Sequence, residues 1–303
     1  MDLRRWQRAW KRYVWAPVLR QVHPEIDVPV GKQHVRVDLR DRIIGTLLYV
    51  QGHYEAELLR LIGTMDLKGS VCVDIGANLG LHSLAMSAAV GPSGTVFAFE
   101  PEAHNFQLLE HNLRANGASN VISRRMAAGE AEGLCRLALN PWNYGDHRVG
   151  TANLDSRLFQ EVALTTIDAC LRDVPHGTVA LIKIDVQGYE CQVLQGMRVT
   201  LERNPQAVLM LEVFPDALRA AGYSAPQLMQ MARDFGLTGW EFHDHRLVPI
   251  FEPWVYDLIR DGRQVDVILC CDQRRLWAIL ENYLREVSPD GLAEVSSRRA
   301  KCA

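Results

Sequence analysis

The chain lacks the sequence features that define several large classes of protein. No apolar run approaches the roughly 18 residues that a membrane-spanning helix needs. The formal net charge of −3 gives no general support for nucleic-acid binding. The first residues are basic but lack the apolar stretch and small-residue cleavage site of a signal peptide. With 48 % hydrophobic residues in 303, the composition predicts a cytoplasmic protein with a large core.

Cysteine is also sparse, and no CxxC pair occurs. The seven cysteines are scattered over positions 72, 135, 170, 191, 270, 271 and 302. An odd number without metal-ligand spacing predicts reduced, mostly buried thiols rather than a disulfide framework or a zinc site. His243 and His245 form the one suggestive histidine pair, but they lack a third ligand and predict no metal centre.

Two nucleotide-binding motifs are missing as well, and what stands in their place is informative. Residues 71–75 form a β-branched run typical of a buried strand, and residues 81–90 have helical character. Between them, Gly76 and Gly80 predict a tight turn, but the spacing is not G-x-G-x-x-G and no G-x-x-x-x-G-K-[ST] loop follows a strand. The stretch therefore resembles the strand–turn–helix unit of a nucleotide-binding site, but it indicates neither a dinucleotide-binding site nor a phosphate-binding loop.

The pattern of the chain predicts an α/β protein with a mostly parallel sheet and helices on both faces. Strands are expected at residues 71–75, 95–99, 120–126, 179–186 and 207–213, with 240–243 and 265–271 last, and a hairpin at 28–37. Helices are expected at 54–63, 101–116, 188–203, 216–221, 225–235 and 273–286. We divide the chain into lead-in elements at 1–69, a main domain at 70–272 and a closing helix with a frayed tail at 273–303. The long segment 129–160 interrupts the alternation and predicts a functional loop.

Acidic residues end several of the predicted strands. Asp74, Glu100, Asp185 and Glu212 each lie at or near the carboxyl end of a strand, where ligands bind in such sheets. Carboxylates repel phosphates and suit a ligand with hydroxyls and positive charge. S-adenosylmethionine has a ribose diol, an ammonium and a sulfonium, so these acids favour it over a nicotinamide dinucleotide.

Several of these segments together resemble one known family. Residues 73–80 (VDIGANLG), 99–101 (FEP), 164–168 (LTTID) and 182–190 (IKIDVQGYE) are similar to the FkbM family of S-adenosylmethionine-dependent methyltransferases, as are 193–196, 211–215 and the upstream 52–55. The resemblance implies a Rossmann-like class I methyltransferase fold whose seven-stranded sheet ends in an antiparallel strand. It also implies O-methylation, commonly of a sugar, glycan or polyketide hydroxyl. Gln187 departs from the family, which usually carries an acid there.

The resemblance and the strand-end acids together predict where S-adenosylmethionine binds. Glu100, at the end of the strand after the glycine turn, is expected to accept hydrogen bonds from the ribose hydroxyls. Asp146, in the interrupting loop, could contact the adenine amino group or equally form a pair with His147. The full predicted set is Asp74, Gly76, Ala77, Asn78, Gly80, Glu100, Pro101, Asn105, Met126, Asp146 and Asp185.

Activation of the acceptor hydroxyl requires a base or a metal. Asp185 is the first candidate: it can orient the donor, act as base or ligate a metal, or merely cap the next helix. His147 beside Asp146 is a second candidate base, and Glu212 a third, although Glu212 can equally pair with the buried Lys183. We assign no metal site, but Asp146, Asp185 and Glu212 together could hold Mg²⁺ through oxygens.

Other functions remain open. N-methylation is possible on the same fold, and a non-catalytic S-adenosylmethionine-binding module is the alternative from another class. The acceptor is a small molecule or a glycan, not nucleic acid. Residues 1–20 place Trp6, Trp10 and several arginines at helical spacing. This pattern is expected either of a helix docked on the domain through its tryptophans or of peripheral contact with the inner face of a membrane.

Overall fold

The computed structural model describes residues 3–150, 158–243, 246–250 and 252–287. The strands are β1 Glu25–Val30, β2 Gln33–Asp38, β3 Val71–Ile75, β4 Thr95–Phe99, β5 Val121–Arg124, β6 Ala127–Ala128, β7 Gly133–Ala138, β8 Arg148–Val149, β9 Phe159–Thr165, β10 Val179–Ile184, β11 Val208–Val213, β12 Thr238–His243, β13 Arg246–Pro249 and β14 Val265–Cys270.

The helices begin with one continuous helical segment: α1 Leu3–Trp10, a π-helical turn Lys11–Trp15 and α2 Ala16–Val22. The others are α3 Ile44–Gln51, α4 Ala56–Thr64, α5 Leu81–Val90, α6 Ala103–Ala115, α7 Ile167–Cys170, α8 Glu190–Gln195, α9 Arg198–Arg203, α10 Pro215–Ala220, α11 Ala225–Asp234, α12 Glu252–Asp261 and α13 Gln273–Val287.

The main sheet has, within the described residues, eight strands in the order β13-β12-β14-β11-β10-β3-β4-β5. The five from β11 to β5 are parallel, and β14, β12 and β13 are antiparallel to their neighbours. The chain runs outward from β3 to β5 and then returns to β10 on the other side of β3. Strand order therefore reverses between β3 and β10, which is where α/β sheets form a ligand crevice.

This architecture confirms the predicted α/β, Rossmann-like methyltransferase class and corrects the strand count. Seven strands were expected, but Arg246–Pro249 pairs with β12 and adds an eighth at the edge. The sequence did not reveal it because four residues carry too short a pattern to distinguish from loop.

Two hydrophobic layers cover the sheet. Successive side chains of β3 point to opposite faces: Val73 and Ile75 belong to the cluster with α8–α11, whereas Cys72 belongs to the cluster with α4 and α13. A third cluster joins β1, β2 and α3 to the glycine turn and to α5 and α6. The lead-in hairpin is thus fixed directly against the elements that build the site. The division at residue 69 remains a prediction about the sequence.

Several predicted boundaries are wrong in detail. Helix α3 is missed because its side chains are apolar on most sides and show no amphipathic period. The helix expected at 54–63 does not end at Gly63, which lies inside α4. The expected helix 188–203 is broken at Gly196, where an added Cβ would lie 1.8 Å from the carbonyl oxygen of Gly129. The chain therefore passes that point as two short helices.

The interrupting segment is not only a loop. Strands β7, β8 and β9 form a small sheet together with β6, in the order β6-β9-β7-β8. Residues 151–157 of this segment, His245 and the tail predicted to fray lie outside the described residues. No helix in the part of the chain that the structure describes is long and apolar enough to cross a bilayer.

The first helical segment contacts the domain along one side only. Arg20 Nε donates to the Leu39 carbonyl at 2.5 Å, and Ala16 is fully buried. Trp6 and Trp10 are 56 % and 53 % exposed. Trp6, Trp10 and Lys11 nevertheless border a groove with Tyr49 of α3, and Lys11 Nζ lies 5.1 Å from the Tyr49 ring centroid. Docking of the tryptophans on the main domain therefore remains a prediction, as does their contact with a membrane.

Candidate active site

A cavity of about 880 Å³, including its open mouth, lies at the carboxyl ends of β3 and β10, where the strand order reverses. Its walls come from the glycine turn, the end of β4, the start of α3, the segment before α4, and residues 144–149. The lining residues on which the site depends are Tyr54, Glu55, Gly76, Ala77, Asn78, Gly80, His82, Glu100, Pro101, Asn105, Met126, Tyr144, His147, Lys183, Asp185, Gln187 and Tyr189.

The glycine turn sets the floor of the cavity. Gly76 has φ +82°, and an added Cβ would lie 1.8 Å from the Asp185 carbonyl oxygen, so only glycine fits there. The amides of Gly76 and Ala77 both donate to the Phe99 carbonyl, at 3.0 and 2.9 Å. The turn is thereby fixed to the ends of both neighbouring strands, β4 and β10.

Glu100 faces this turn and is buried. Its Oε2 accepts from the Asn78 amide at 2.8 Å and its Oε1 from the Glu102 amide at 2.9 Å. Burial raises the pKa of Glu100 to about 8, against the opposing effect of these two backbone hydrogen bonds. Each oxygen accepts one backbone hydrogen bond, so in the ionised form of Glu100 each keeps a further acceptor site for a hydroxyl.

The loop from Asn140 to His147 forms one wall of the cavity. The Tyr144 carbonyl accepts from Asn78 Nδ2 at 3.2 Å and from Asn105 Nδ2 at 2.8 Å, which ties the loop to the glycine turn and to α6. His147 Nδ1 accepts from the Asn140 amide at 3.0 Å. Burial lowers the pKa of His147, so its ring is neutral, with the proton on Nε2. This arrangement favours His147 as a hydrogen-bond donor, because its basic nitrogen is already used.

A buried ion pair occupies the deep end of the cavity. Lys183 Nζ lies 3.3 Å from Asp185 Oδ2 and 3.9 Å from Asp74 Oδ1. Burial alone would lower the pKa of Lys183, but the charges of Asp185 and Asp74 outweigh burial and raise it. Asp74 is fully buried, and its Oδ2 accepts from Ser83 Oγ at 2.6 Å. Lys183 is therefore a permanent cation that is shared by two carboxylates.

Gln187 connects this pair to Glu212. Its Nε2 donates to Asp185 Oδ1 at 2.8 Å and to Glu212 Oε2 at 2.7 Å, and Glu212 Oε1 accepts from Gln264. Burial would raise the pKa of Asp185, but the Lys183 charge and the hydrogen bonds from Gln187 and Glu212 lower it. Burial and the charge of Asp185 raise the pKa of Glu212. Asp185 is thus the ionised member of the pair and Glu212 the protonated one.

Glu55 is a cavity residue that the sequence reasoning did not select. It lies immediately before α4 with φ +47°, an uncommon conformation for a residue other than glycine. Its Oε2 is 3.3 Å from His82 Nε2. Burial and the charge of Asp185 raise the pKa of Glu55 to about 7. The sequence feature that could have indicated Glu55 is segment 52–55, which ends in this residue and resembles the FkbM family. The resemblance by itself assigned no role to the glutamate.

Not every predicted residue reaches the cavity. Gly76, Ala77, Asn78, Gly80, Glu100, Pro101, Asn105, Met126, His147 and Asp185 line it. Asp74 lies beneath the turn, and Glu212 lies behind Gln187. Asp146 Oδ1 is 2.6 Å from Arg148 Nε, and its Oδ2 accepts from Asn140 Nδ2 at 3.1 Å. The roles of all these residues remain predictions, although a contact of Asp146 with the adenine amino group has no support in this geometry.

The proposed Mg²⁺ trio does not assemble. Asp185 and Glu212 share Gln187, but Asp146 is paired with Arg148 elsewhere. Across the described residues, the group of three potential ligand atoms found within 4.8 Å of one another is Glu25, Asp38 and His104. Arg40 already bridges Glu25 and Asp38 there, at 3.8 and 2.7 Å, so a guanidinium supplies the positive charge.

The fold and the cavity define a Rossmann-like methyltransferase architecture. A family profile described as the methyltransferase FkbM domain matches residues 74–237, more than half of the chain. The chain therefore belongs to the FkbM methyltransferase domain family. The matched segment begins at the glycine turn and extends through β11 to the end of α11.

Two curated relatives align with about half of the chain. Methyltransferase 1 of Beauveria bassiana is 28 % identical over 146 residues, which cover 42 % of this chain and 58 % of the relative. The hexuronic acid methyltransferase AglP of Haloferax volcanii is 30 % identical over 154 residues, which cover 49 % of this chain and 58 % of the relative. The chain thus matches somewhat more than half the length of each.

Among solved structures, the FkbM methyltransferase of Methylobacillus flagellatus KT has a TM-score of 0.41 at 17 % identity and covers 68 % of this chain and 45 % of that one. A putative transferase from Pyrococcus horikoshii has a TM-score of 0.43 at 13 % identity and covers 86 % of this chain and 82 % of that one.

Proposed function

We propose that the chain transfers a methyl group from S-adenosylmethionine to a hydroxyl of a sugar, and that a hexuronic acid is the first acceptor to test. The observation that carries the proposal is the acidic cavity at the strand-order reversal. Three acidic side chains, Glu55, Glu100 and Asp185, line it with one lysine, Lys183, and a bound cation favours the ionised form of each acid. This lining suits a cationic donor with hydroxyls and disfavours a pyrophosphate.

The donor supplies an electrophilic methyl on sulfur when it is bound. The residues of this chain have to hold it and align the acceptor. We assign Glu100 to the ribose hydroxyls, because each of its oxygens accepts only one backbone hydrogen bond and, when ionised, can accept another. Asn78 has a left-handed backbone conformation with φ +49°. Its amide donates to Glu100 Oε2 and so fixes the position of that carboxyl group.

Asp185 is assigned to the positive charge of the donor. It is ionised and held by Lys183 and Gln187. A group whose pKa is lowered is a weak base at neutral pH. Asp185 is therefore better suited to orient the donor than to accept a proton from the acceptor. Glu212, which is protonated and lies behind Gln187, supports this charge from outside the cavity.

Glu55 is assigned as the general base. A hydroxyl needs a proton acceptor whose pKa is near the working pH, and the pKa of Glu55 is raised to about 7. Its side chain is 23 % exposed, and it lines the cavity together with Lys183 and Asp185. The same base could serve a protonated amine, so N-methylation remains the alternative that the acceptor assay decides.

The test has two steps. Calorimetry with the full chain should detect binding of S-adenosylmethionine and S-adenosylhomocysteine but no binding of NAD⁺. A radiolabelled methyl group should then be transferred to a glucuronoside. No label should be transferred to the control acceptor, which is the methyl ester of a glucuronoside whose hydroxyl is already O-methylated. No heat with millimolar donor would contradict the proposed function at its first step. Donor binding with transfer only to amines would contradict the O-methylation.

A further inference from the structure

The surface that the site does not use is the outer side of the first helical segment, residues 3–22. Every fourth residue from Trp6 to Val22 is a large hydrophobic side chain that faces solvent. Trp6, Trp10, Val14, Val18 and Val22 are 56, 53, 37, 49 and 72 % exposed. Isolated exposed hydrophobic residues are ordinary, but an aligned row of five is a candidate interaction surface.

The π-helical turn helps to keep this row together. A spacing of four residues exceeds the 3.6 residues of an α-helical turn, so such a row drifts by about 40° at each step. The π-helical turn at Lys11–Trp15 takes more residues per turn and offsets part of the drift at the middle of the row. Trp15 and Tyr13, 49 % and 73 % exposed, widen the row on both sides.

The charge of the same segment has one sign. Residues 3–22 contain six basic residues and no acidic residue, in a chain whose net charge is −3. Arg8, Lys11 and Arg12 are exposed. A row of tryptophan and valine flanked by arginine is the pattern of a helix that lies in the headgroup region of an anionic bilayer.

The row continues toward the cavity. Arg12, Arg42 and Ile43 line one groove, and the Arg42 guanidinium lies 3.9 Å from the ring centroid of Trp142, which is 57 % exposed. The Arg42 amide also donates to the Trp142 carbonyl at 2.9 Å. Trp142 belongs to the loop whose Tyr144 and His147 line the cavity. A surface rich in arginine and tryptophan therefore extends from the helix to the cavity wall.

We propose that this surface binds an anionic lipid bilayer and brings the mouth of the cavity to the membrane. A second copy of the chain is disfavoured as occupant, because two such helices would place like charges against each other. Nucleic acid would satisfy the arginines but would leave Val14, Val18 and Val22 exposed. A bilayer has an anionic surface and an apolar layer beneath it, so it satisfies both.

The test is co-sedimentation of the full chain with vesicles of phosphatidylglycerol and phosphatidylcholine, compared with phosphatidylcholine alone. We expect binding to the anionic vesicles that falls with added salt. Arg8→Glu combined with Arg12→Glu should weaken it by at least about 30-fold, since each basic residue near the surface contributes about fivefold. Arg172→Glu with Arg219→Glu makes the same charge change at two exposed arginines elsewhere and should weaken it much less.

The apolar part has its own pair of variants. Trp6→Ala with Trp10→Ala should weaken binding by roughly tenfold or more, because the apolar area that enters the bilayer is lost. Leu134→Ala with Tyr256→Ala removes two side chains that are each 67 % exposed, and it should have no effect. Thermal unfolding of each variant checks that the fold is retained.

Three results would overturn the proposal. The first is equal sedimentation of all variants. The second is the absence of binding to anionic vesicles at low salt. The third is a dimer in sedimentation velocity that dissociates on Trp6→Ala with Trp10→Ala, which would assign the row to a second copy. The assay contains neither donor nor acceptor, so its outcome is independent of the proposed methyl transfer.

Discussion

Glu55 Oε2 lies 3.3 Å from His82 Nε2, and that nitrogen is buried without a hydrogen-bond partner among the described residues. Burial lowers the pKa of His82 well below 6.5, so the ring is neutral. A neutral neighbour does not stabilise the Glu55 carboxylate as a cation would. This pair therefore leaves Glu55 with a raised pKa at the wall of the cavity, where a proton acceptor is needed.

Glu55→Gln should abolish most turnover without loss of donor binding. Removal of a general base costs about 10² to 10⁴ in rate, and Glu55 contacts neither the glycine turn nor Glu100 in our assignment. We expect kcat to fall by at least about 100-fold while the Kd for S-adenosylmethionine stays the same. Glu202→Gln, an exposed glutamate of α9, is the control. An unchanged kcat would remove Glu55 from the mechanism.

The rate should rise with pH through neutrality. The pKa of Glu55 is raised to about 7, so the carboxyl is protonated and inactive below that value and ionised above it. We expect kcat to increase with a midpoint near pH 7 and to level off above it. In Glu55→Gln the residual rate should lose this rise. A profile flat from pH 5 to 9 in the wild type would contradict the assignment.

Glu190→Gln should stabilise the protein at alkaline pH. Glu190 Oε1 accepts from the Gly188 and Val186 amides, its Oε2 is buried without a partner, and burial raises its pKa to about 7. The folded state therefore retains a proton that the unfolded state releases near 4.5, and stability falls as pH rises from 4.5 to 7. The neutral amide keeps the accepting oxygen and avoids that loss.

The expected gain in the free energy of unfolding for Glu190→Gln is up to about 3 kcal/mol above pH 7 and close to zero below pH 4.5. Urea unfolding at pH 5 and pH 8 measures it. Glu130→Gln, at a glutamate that accepts a hydrogen bond from the Tyr189 hydroxyl at 3.2 Å, is the control variant. A variant less stable than the wild type at pH 8 would contradict the raised pKa.

Gly76→Ala should be far more damaging than Gly117→Ala, although both glycines have a positive φ. Its Cβ would lie 1.8 Å from the Asp185 carbonyl oxygen, which belongs to the backbone and cannot turn aside. We expect a loss of more than about 4 kcal/mol in stability, or no folded protein. Gly117→Ala has φ +67° and no atom within 4 Å of the added Cβ, so it should cost only about 1 kcal/mol. Equal losses would contradict the close approach.

Gln187→Glu should destabilise the chain at neutral pH. The variant loses both hydrogen bonds that the amide donates to Asp185 and Glu212, and it adds a third carboxylate beside them. We expect a loss of about 3 kcal/mol at pH 8 and less at pH 5, where the added acid is protonated. Mg²⁺ should raise the Tm of this variant and leave that of the wild type unchanged. A rise in the wild type would restore the metal hypothesis.

The sequence predicted the elements that are local and periodic. The β3 strand, the glycine turn and α5 follow from patterns within about 20 residues, and Glu100 follows from the strand after them. Of the ten predicted residues that line the cavity, six belong to this part of the chain: Gly76, Ala77, Asn78, Gly80, Glu100 and Pro101.

The missed features depend on contacts between distant segments. The wall at Tyr144 is held by Asn78 and Asn105, which are 66 and 39 residues away. Strands β7 and β9 pair with each other although residues 139–158 separate them in the sequence. The pKa of Glu55 is raised in part by the charge of Asp185, which lies far along the chain. No pattern within a short window contains these partners, so the sequence does not show that Gln187 joins Glu212 to Asp185.

The π-helical turn at Lys11–Trp15 determines whether the exposed row lies on one side of the helical segment. If the same five residues formed a regular α-helix, each would turn the chain by about 100° instead of about 80°. Trp6 and Trp10 would then be rotated by about 90° relative to Val18 and Val22, and the row would be divided between two sides although the sequence is unchanged. The hydrogen-bonding pattern of these five residues therefore decides whether the hydrophobic side chains form one surface or two.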